Sequence, residues 1–394
     1  MIIKDRLTWL EKSRFLIITH SPFDAGPAQE FVAFLKDKVS LLAFINHPFF
    51  YAEEKHSSAT LYQKGKIVKR LVAPRIGGPD IFYYFKDFFF TVFFTLRLGK
   101  RFDFCMAADN LNTFSALVLR RLGIVKKVIY STVDYTPRRF ENSLLNSIYH
   151  LVDKICCYRA DLIWNSSELM VAEREKMGVR TEKAAKQITV PDGSHFEQIE
   201  RPPIEKIDRF RVIFMGHLLE NKGIMILIEA FVEVCRKVKK ARLVIIGGGV
   251  LRKRLEKRVK ELGLSGRVFF TGYIESHAEL ERIMAKGAVA VAPYVPDSDS
   301  YSFYSDVGKV KVYLACGLPV VITPVPQIAY EIQKKKAGLL VDYDKKAIAE
   351  AIIRLLTDDR LYQKTRVNAI KLVANYTWDN VFQEALMKTW SNIR

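Results

Sequence analysis

Short runs of β-branched and aromatic residues alternate along the whole chain with longer stretches of helical periodicity. This alternation is typical of βαβ units built around parallel sheets and predicts an α/β protein. Amphipathic patterns such as 224–238 and 250–262 predict helices between the strands. Candidate strands lie at 14–20, 40–46, 103–109, 126–132 and 161–167, and then at 211–216, 242–248, 267–272, 288–294, 318–323 and 337–342.

The stretch 190–210 is rich in Pro, Gly and charged residues, and the strand pattern restarts after it. We interpret it as the linker between two doubly wound, Rossmann-like domains, residues 1–200 and 201–375. Residues 376–394 follow the second sheet and are helical in pattern, so we expect them to pack back on the first domain. Ligands of open α/β sheets bind at the carboxyl ends of the strands. We therefore expect a site in a cleft where the two domains face each other.

The bulk composition fits this organisation. The chain has 394 residues, of which 49% are hydrophobic and 27% are charged, which is enough apolar material for two cores. The five cysteines have no metal-ligand spacing, and the first residues lack a secretory signal pattern. We therefore expect reduced, mostly buried thiols in a cytoplasmic protein. The net charge of +19 favours anionic partners, either nucleic acid, acidic lipid or phosphorylated substrates, although it could serve solubility alone.

Glycines and a lysine follow the first two strands of the second domain. Gly216 ends a candidate strand, and Lys222 with Gly223 opens the next helix. A lysine beside a helix N-terminus suits a diphosphate, although many α/β proteins carry such a pair. The triplet 247–249 is not a G-x-G-x-x-G fingerprint, so both a phosphate contact and a tight turn remain open for it.

The stretch "SYSFYSDVGKVKVYLACGLPVV" (300–321) predicts a loop, a helix from about Gly308, a stop at Gly317 and a buried strand. Asp306 could cap the helix. Lys309 lies in the first turn, where its charge opposes the helix dipole, so we predict that it faces an anion. We interpret Lys311, two residues further on, as a solvated charge.

The order of these motifs resembles the retaining GT-B glycosyltransferases of family 4, known as glycosyl transferases group 1. The resemblance rests on "GHLLENKG", "LVIIGGG", "VFFTGYI", "AVAVAPY", "KVKVYLACGLPVV" and "WDNV", and it covers most of residues 211–380. It implies a nucleoside-diphosphate sugar on the second domain, a glycan or lipid-linked acceptor on the first, and retention of anomeric configuration. No cofactor and no nucleic-acid partner are expected.

The chain departs from the family's pattern at the donor site. The two glutamates of the family's Glu-x7-Glu pair are replaced by Tyr304 and Val312, whereas Asp306 and Lys309 fit a variant with the pattern D-x-x-K. His217 and Lys222 stand where the family usually has arginine and lysine. The resemblance implies these donor-binding residues: Gly216, His217, Lys222, Gly248, Tyr273, Tyr304, Ser305, Asp306 and Lys309.

Polar residues that follow the strands of the first domain are the candidates for chemistry and acceptor binding. Asp134 follows a buried strand and could accept the proton of an acceptor hydroxyl, which makes it the first catalytic candidate. His20, on the same loop as Asp24, is the second, although either residue could simply stabilise the loop. Asp109 could also cap a helix, and arginines 138 and 139 could be solvated. The predicted acceptor-binding residues are Gly26, Asp109, Asn112 and Arg138.

No metal site is predicted. Asp297-x-Asp299 resembles a metal-binding D-x-D motif, but two aspartates in a Ser-rich loop are common by chance. In a GT-B site, lysines and helix dipoles would hold the diphosphate in place of a metal.

The stretch 81–102 is aromatic on nearly every face, interrupted by Lys86 and Asp87, and too short to span a bilayer. It predicts either a helix buried in the first domain or one lying in a membrane interface. The surrounding basic residues suit anionic lipid, so we expect peripheral binding at the inner face of a membrane. Two alternatives remain: a GT-B nucleotide-sugar epimerase, and a non-enzymatic binder of nucleic acid or membrane.

Overall fold

The structure is a computed structural model that describes residues 4–21, 26–49, 56–74 and 80–393. It divides into two compact units, one formed by Met1–Pro191 with Trp378–Arg394 and the other by Asp192–Thr377. Each unit is built around one sheet of mostly parallel strands, and helices connect most successive strands. The predicted α/β class with two doubly wound sheets is confirmed.

Each predicted strand is present. The strands of the first unit are β1 (Arg14–Ser21), β2 (Leu41–Pro48), β3 (Ser58–Gln63), β4 (Lys66–Val72), β5 (Phe102–Ala108), β6 (Val125–Thr132), β7 (Leu162–Asn165) and β8 (Gln187–Thr189). Those of the second unit are β9 (Arg211–Met215), β10 (Arg242–Ile246), β11 (Val268–Gly272), β12 (Val289–Ala292), β13 (Val320–Ile322) and β14 (Gly338–Leu340).

The helices follow the predicted amphipathic patterns. They are α1 (Pro27–Leu35), α2 (Asp80–Leu98), α3 (Asn110–Arg121), α4 (Ser143–Arg159), α5 (Leu169–Lys176), α6 (Ile224–Lys237), α7 (Arg252–Glu261), α8 (His277–Ala285), α9 (Tyr301–Tyr304), α10 (Gly308–Ala315), α11 (Ile328–Lys335), α12 (Lys345–Thr357), α13 (Asp359–Val373) and α14 (Trp378–Ile393). Short 3-10 turns lie at Lys4–Lys12, Thr181–Lys183, Ile204–Lys206 and Glu220–Lys222.

The strand order places a switch point in each sheet. The first sheet runs β4-β3-β2-β1-β5-β6-β7-β8 and the second β11-β10-β9-β12-β13-β14. The direction of winding therefore reverses between β1 and β5 in the first unit, and between β9 and β12 in the second. Such points open a crevice outside the carboxyl ends of the strands, where α/β proteins bind ligands.

The hairpin of β3 and β4 was not predicted. Both pairings, β2 with β3 and β3 with β4, are antiparallel. The turn is made by Lys64 and Gly65 with φ of 48° and 77°, a two-residue turn of the kind that tight hairpins use. The dipeptide Lys-Gly between two β-rich runs was the available signal.

The C-terminal helix α14 packs within the first unit, as predicted. Phe382 contacts Phe31 of α1, with ring centroids 4.9 Å apart. Trp164 of β7 donates a hydrogen bond of 3.0 Å from Nε1 to Thr389 Oγ1. The five cysteines are free, and all but Cys235 are buried, as expected.

Candidate functional site

The switch point of the second unit carries a narrow pocket whose lining includes Gly216, Lys222, Tyr294, Lys309 and Tyr313. Gly216 follows β9, and its amide donates to Ile246 O of the neighbouring strand. The Lys309 ammonium lies 3.7 Å from the position that a Cβ would take on Gly216. Lys222 and Lys309, the two lysines predicted to bind the donor, therefore line the same pocket.

Lys222 contacts Ser302 and Tyr301, which lie in the stretch 300–321 that departs from the family pattern. It is 6% exposed, and its Nζ donates a hydrogen bond of 2.7 Å to Ser302 Oγ. The ammonium also lies 4.3 Å from the centre of the Tyr301 ring and 5.2 Å from that of Tyr294, within cation–π range. Gly223 behind it has φ of 64°, and a Cβ there would lie 1.7 Å from Pro293 O, so only glycine fits this turn.

His217 follows Gly216 in sequence and lies within reach of the charges of both lysines. Burial lowers its pKa, and the charges of Lys309 and Lys222 lower it further. Like charges raise one another's energy, so a cluster of this kind is relieved when an anion enters it. The location, at the carboxyl edge of β9 and beside the first turn of α10, is one where backbone dipoles also favour an anion.

The three glycines at 247–249 differ in the space that a Cβ would have at each position. A Cβ on Gly247 would lie 2.1 Å from Gly216 O, and one on Gly249 would lie 2.7 Å from Leu218 N. These two glycines allow the loops after β9 and β10 to touch. Gly248 has open space where its Cβ would be, so it is the member of the triplet that faces outward.

Tyr304 and Ser305 are both buried, at 6% and 3% exposure. The Ser305 hydroxyl has no hydrogen-bond partner among the described residues, and neither does the carbonyl oxygen of the Asn221 side chain. Asn221 is joined to the same stretch because its Nδ2 donates to Ser300 Oγ at 3.1 Å. A buried polar atom without a partner is costly, which marks both atoms as candidates for a ligand contact.

The predictions for Asp306 as a helix cap and for Lys311 as a solvated charge are wrong. Lys311 is 2% exposed, and its ammonium binds the Asp306 carboxylate and, at 2.7 Å, Asp192 O. The Asp306 carboxylate also accepts a hydrogen bond of 2.7 Å from Asp192 N, and the residue before α10 is Val307. The Asp306 carboxylate therefore links Asp192, at the start of the second unit, to Lys311 of α10. Lys309, the basic residue of the D-x-x-K pattern, lines the pocket.

Tyr273 is the remaining predicted donor residue, and Val312 and Asp297 are two further positions that stood out in the sequence. Tyr273 follows β11 and is 56% exposed. Val312, at the second glutamate position, is half-buried. Asp297 accepts a hydrogen bond of 2.9 Å from Asp299 N, so the D-x-D motif forms a local turn.

The switch point of the first unit brings together three of its predicted residues. His20 lies near the end of β1, and its Nδ1 is 3.1 Å from Asp109 Oδ2. Asp109 caps α3, as the alternative reading held, with Oδ1 accepting from Asn112 N at 3.1 Å. The Asn112 side chain lies beside them, with Nδ2 2.9 Å from His20 Nδ1.

Two buried side chains next to His20, those of Asp87 and His47, were not predicted from the sequence. Nε2 of His20 is 3.1 Å from Oδ2 of Asp87, and Asp87 is 2% exposed. His47, in register with His20 on β2, is fully buried and contacts Ser57 and Thr91 at 2.9 and 2.8 Å. The signal was present, since Lys86 and Asp87 interrupt the aromatic pattern of α2.

Asp134 lies on the exposed loop after β6. Burial lowers the pKa of the neighbouring Arg139 guanidinium, but Tyr149, Asp134 and Asp109 are among the groups whose charges raise it. Arg138 is exposed on the same loop. Gly26 precedes α1, and Asp24 lies outside the described residues.

Helix α2 has two different faces. Its inner face, including Phe90 and Phe94, packs into the core, which confirms part of the buried-helix prediction. Its outer face exposes a stripe of large side chains: Phe82, Tyr84, Phe85, Phe89, Phe93 and Leu96. Within the described residues, no helix is both long and apolar enough to cross a bilayer.

Known proteins match both the sequence and the fold. Residues 209–358 match the family model of the glycosyl transferases group 1. The alpha-D-kanosaminyltransferase of Streptomyces kanamyceticus is 31% identical over 171 residues, which span 42% of each chain. The matches to curated relatives span about half of the lengths of those proteins.

Two solved structures share the fold over nearly the whole chain. Sucrose-phosphate synthase from Thermosynechococcus elongatus superposes with a TM-score of 0.71 at 18% identity, covering 96% of this chain and 98% of its own. HepE of Anabaena, solved in complex with UDP, superposes with a TM-score of 0.70 at 15% identity, covering 96% and 100%. The resemblance to the GT-B glycosyltransferases is confirmed.

Proposed function

We propose that this chain, a GT-B member of the glycosyl transferases group 1, moves a sugar from a nucleoside-diphosphate sugar to a glycan or lipid-linked acceptor. The observation that carries the proposal is that Lys222 and Lys309 line one pocket at the switch point of the second unit. The charges of both lysines also lower the pKa of the nearby His217. A diphosphate is the part of the donor that such a cluster would bind.

The diphosphate would lie against Gly216, between the ammonium groups of Lys222 and Lys309. Ser302 and Tyr301 already hold Lys222 in place, so little side-chain entropy remains to be lost on binding. The nucleoside would extend toward Ser305, whose buried hydroxyl offers a hydrogen bond in place of the family's glutamate. Gly248, Tyr273 and Tyr304 are the remaining donor candidates.

In the reaction, the bond between the sugar C1 and the diphosphate oxygen breaks, and the electron pair leaves with the diphosphate. The acceptor oxygen forms the new bond to C1, and its proton passes to a carboxylate. Negative charge grows on the leaving diphosphate, so fixed lysines stabilise the transition state more than the ground state. This charge compensation is why we propose catalysis without a metal.

The first unit would bind the acceptor at its own switch point. Asp109 is 43% exposed at its side chain and can accept a hydrogen bond from a sugar hydroxyl. Asp134 is exposed on the loop after β6, and it is the proposed proton acceptor because a carboxylate there can be reached by an acceptor hydroxyl. Asn112, Arg138 and Gly26 lie on the flanking elements. Retention of configuration is proposed because the resemblance at 211–380 is to retaining enzymes.

We also propose that the outer face of α2 contacts the cytosolic surface of a membrane. Phe85 and Phe89 are 69% and 59% exposed. Exposed basic side chains lie on the neighbouring β4, in the last turn of α2 and just after it: Lys66, Lys69, Arg70, Arg97, Lys100 and Arg101. An aromatic stripe flanked by basic residues suits insertion beneath anionic headgroups.

A donor screen tests the function. Wild type is incubated with UDP-glucose, GDP-mannose and other nucleotide sugars, and nucleotide release is measured with and without candidate acceptors. We expect release from at least one donor. If no donor binds at millimolar concentration, the proposal fails.

A further inference from the structure

The His20 ring is clamped between two carboxylates that come from different helices. Its Nδ1 is 3.1 Å from Asp109 at the start of α3, and its Nε2 is 3.1 Å from Asp87 on α2. The side chains of His20 and Asp87 are 8% and 3% exposed, whereas that of Asp109 is 43% exposed. We call this arrangement of Asp87, His20 and Asp109 the clamp. Its Asp87 end is buried, and its Asp109 end faces solvent.

The buried end is fixed from several sides. Oδ1 of Asp87 accepts a hydrogen bond of 3.2 Å from Ser57 Oγ and lies 3.1 Å from the Lys86 ammonium. His47 Nδ1 is 3.4 Å away. Burial raises the pKa of this carboxyl, but hydrogen bonds from His20 and His47 bring it well below its usual range. Asp87 is thus an ionised anchor that has little freedom to turn.

The solvent-facing end is fixed as well. Asp109 has φ of 68°, which is uncommon for a residue other than glycine. Its Oδ1 accepts from Asn112 N, and its Oδ2 faces the His20 ring. Oδ2 also accepts from Asn112 Nδ2 at 3.3 Å, so its two lone-pair directions are taken by His20 and Asn112. Oδ1 accepts from Asn112 N and can accept a second hydrogen bond from an acceptor hydroxyl, while the contacts of Oδ2 set the orientation of the carboxylate.

We propose that Asp87 is a positioning residue of the acceptor site, which acts through His20 to hold Asp109 in the orientation and charge that receive an acceptor hydroxyl. The inference rests on the proposed function and deepens it. It also assigns His20 a supporting role, because a ring with both nitrogens protonated and bonded to carboxylates cannot take a proton from the acceptor.

The charge on the ring follows from the groups that face it. The titratable groups next to it are Asp109 at the start of α3, Asp87 on α2 and His47 on β2, and Lys86 is paired with Asp87. The Asn112 Nδ2 also lies 2.9 Å from Nδ1 of the ring. Burial lowers the pKa of His20, but the two carboxylates more than compensate and raise it from 6.5 to about 9. The clamp therefore contributes its full stability below about pH 6.5 and loses it as the pH rises through about 9.

The first test follows the ring itself. The His20 imidazole is titrated by NMR in wild type, Asp87→Asn, Asp109→Asn and Thr91→Val. We expect the pKa to fall from about 9 toward 6.5 in both aspartate variants and to stay unchanged in Thr91→Val, which alters only the far side of His47. A wild-type ring that is neutral at pH 7, with Nδ1 accepting from Asn112, would overturn the proposal.

The second test follows turnover with water as the acceptor, using whichever of UDP-glucose and GDP-mannose the wild type hydrolyses. We expect Asp87→Asn to lower kcat about tenfold or more, by analogy with loss of the carboxylate that orients a metal-bound histidine, with nucleotide affinity unchanged. Asp109→Asn provides the same test at the exposed end, where folding is not at risk. Thr91→Val is the matched buried control.

The outcomes separate this inference from the proposed function. Unchanged turnover in Asp87→Asn, despite an altered His20 titration, overturns the positioning role. If wild type binds no nucleotide, the proposed function fails, and the ring titration still decides whether the clamp exists.

Discussion

His217 lies close to Lys309 in the second unit. Burial lowers the pKa of the His217 imidazole, and the charge of Lys309 lowers it further. Lys309 lines the pocket at Gly216, and His217 is the residue that follows this glycine. The relationship identifies a place where positive charge is concentrated before any ligand binds.

Binding of a nucleoside diphosphate should reverse this shift. The anion offsets the charges of Lys309 and Lys222, so the pKa of His217 rises and protons are taken up near neutral pH. Ring NMR of His217, or calorimetry in buffers of different ionisation enthalpy, measures the change. A free nucleoside without phosphate is the control and should leave the pKa where it was. No rise with the diphosphate would place the anion elsewhere.

The buried pair of Arg174 and Asp153 predicts a large effect on stability. Both side chains are 0% exposed and 2.9 Å apart, and Arg174 also stacks on Tyr135, next to Asp134. Asp153→Ala leaves the guanidinium buried without its counter-charge, which costs about 3–5 kcal/mol. All four tryptophans lie in the first unit, so their fluorescence in urea reports its free energy of unfolding.

The control for that prediction is Lys126→Ala, since the ammonium of Lys126 pairs with Asp103 but is 72% exposed. Its loss should change the free energy of unfolding by less than about 1 kcal/mol. Similar losses in the two variants would mean that the buried pair has no special role.

The α2 surface predicts a membrane-binding phenotype. Phe85→Ser with Phe89→Ser removes two exposed rings, and we expect co-sedimentation with vesicles rich in phosphatidylglycerol to fall about tenfold, because each ring would bury apolar surface worth on the order of 1 kcal/mol. Val250→Ser, 86% exposed in the second unit, is the matched control. If the bound fraction is the same for wild type and the double variant and does not depend on the fraction of anionic lipid, the membrane contact is refuted.

Local pattern predicted the strands because their apolar, β-branched runs are buried in parallel sheets. It missed the β3–β4 hairpin, because β4 is almost wholly exposed and has no hydrophobic signature. Lys311 was misjudged, although its carboxylate partner Asp306 lies five residues before it, because it also binds Asp192, which lies 119 residues away in sequence. The contact between His20 and Asp87 spans 67 residues and depends on how α2 packs, which no local motif encodes.

The central claim is that Lys309 and its neighbours hold a diphosphate, and a calorimetric titration tests it most directly. Wild type, Lys309→Ala and the control Lys346→Ala, an exposed lysine in the first turn of α12, are each titrated with UDP, GDP and other nucleoside diphosphates. Loss of a charge-assisted contact costs about 1.5–3 kcal/mol, so Lys309→Ala should weaken Kd about 10- to 100-fold while Lys346→Ala matches wild type. Equal affinity of Lys309→Ala and wild type, or no binding to wild type at millimolar concentration, would contradict the account.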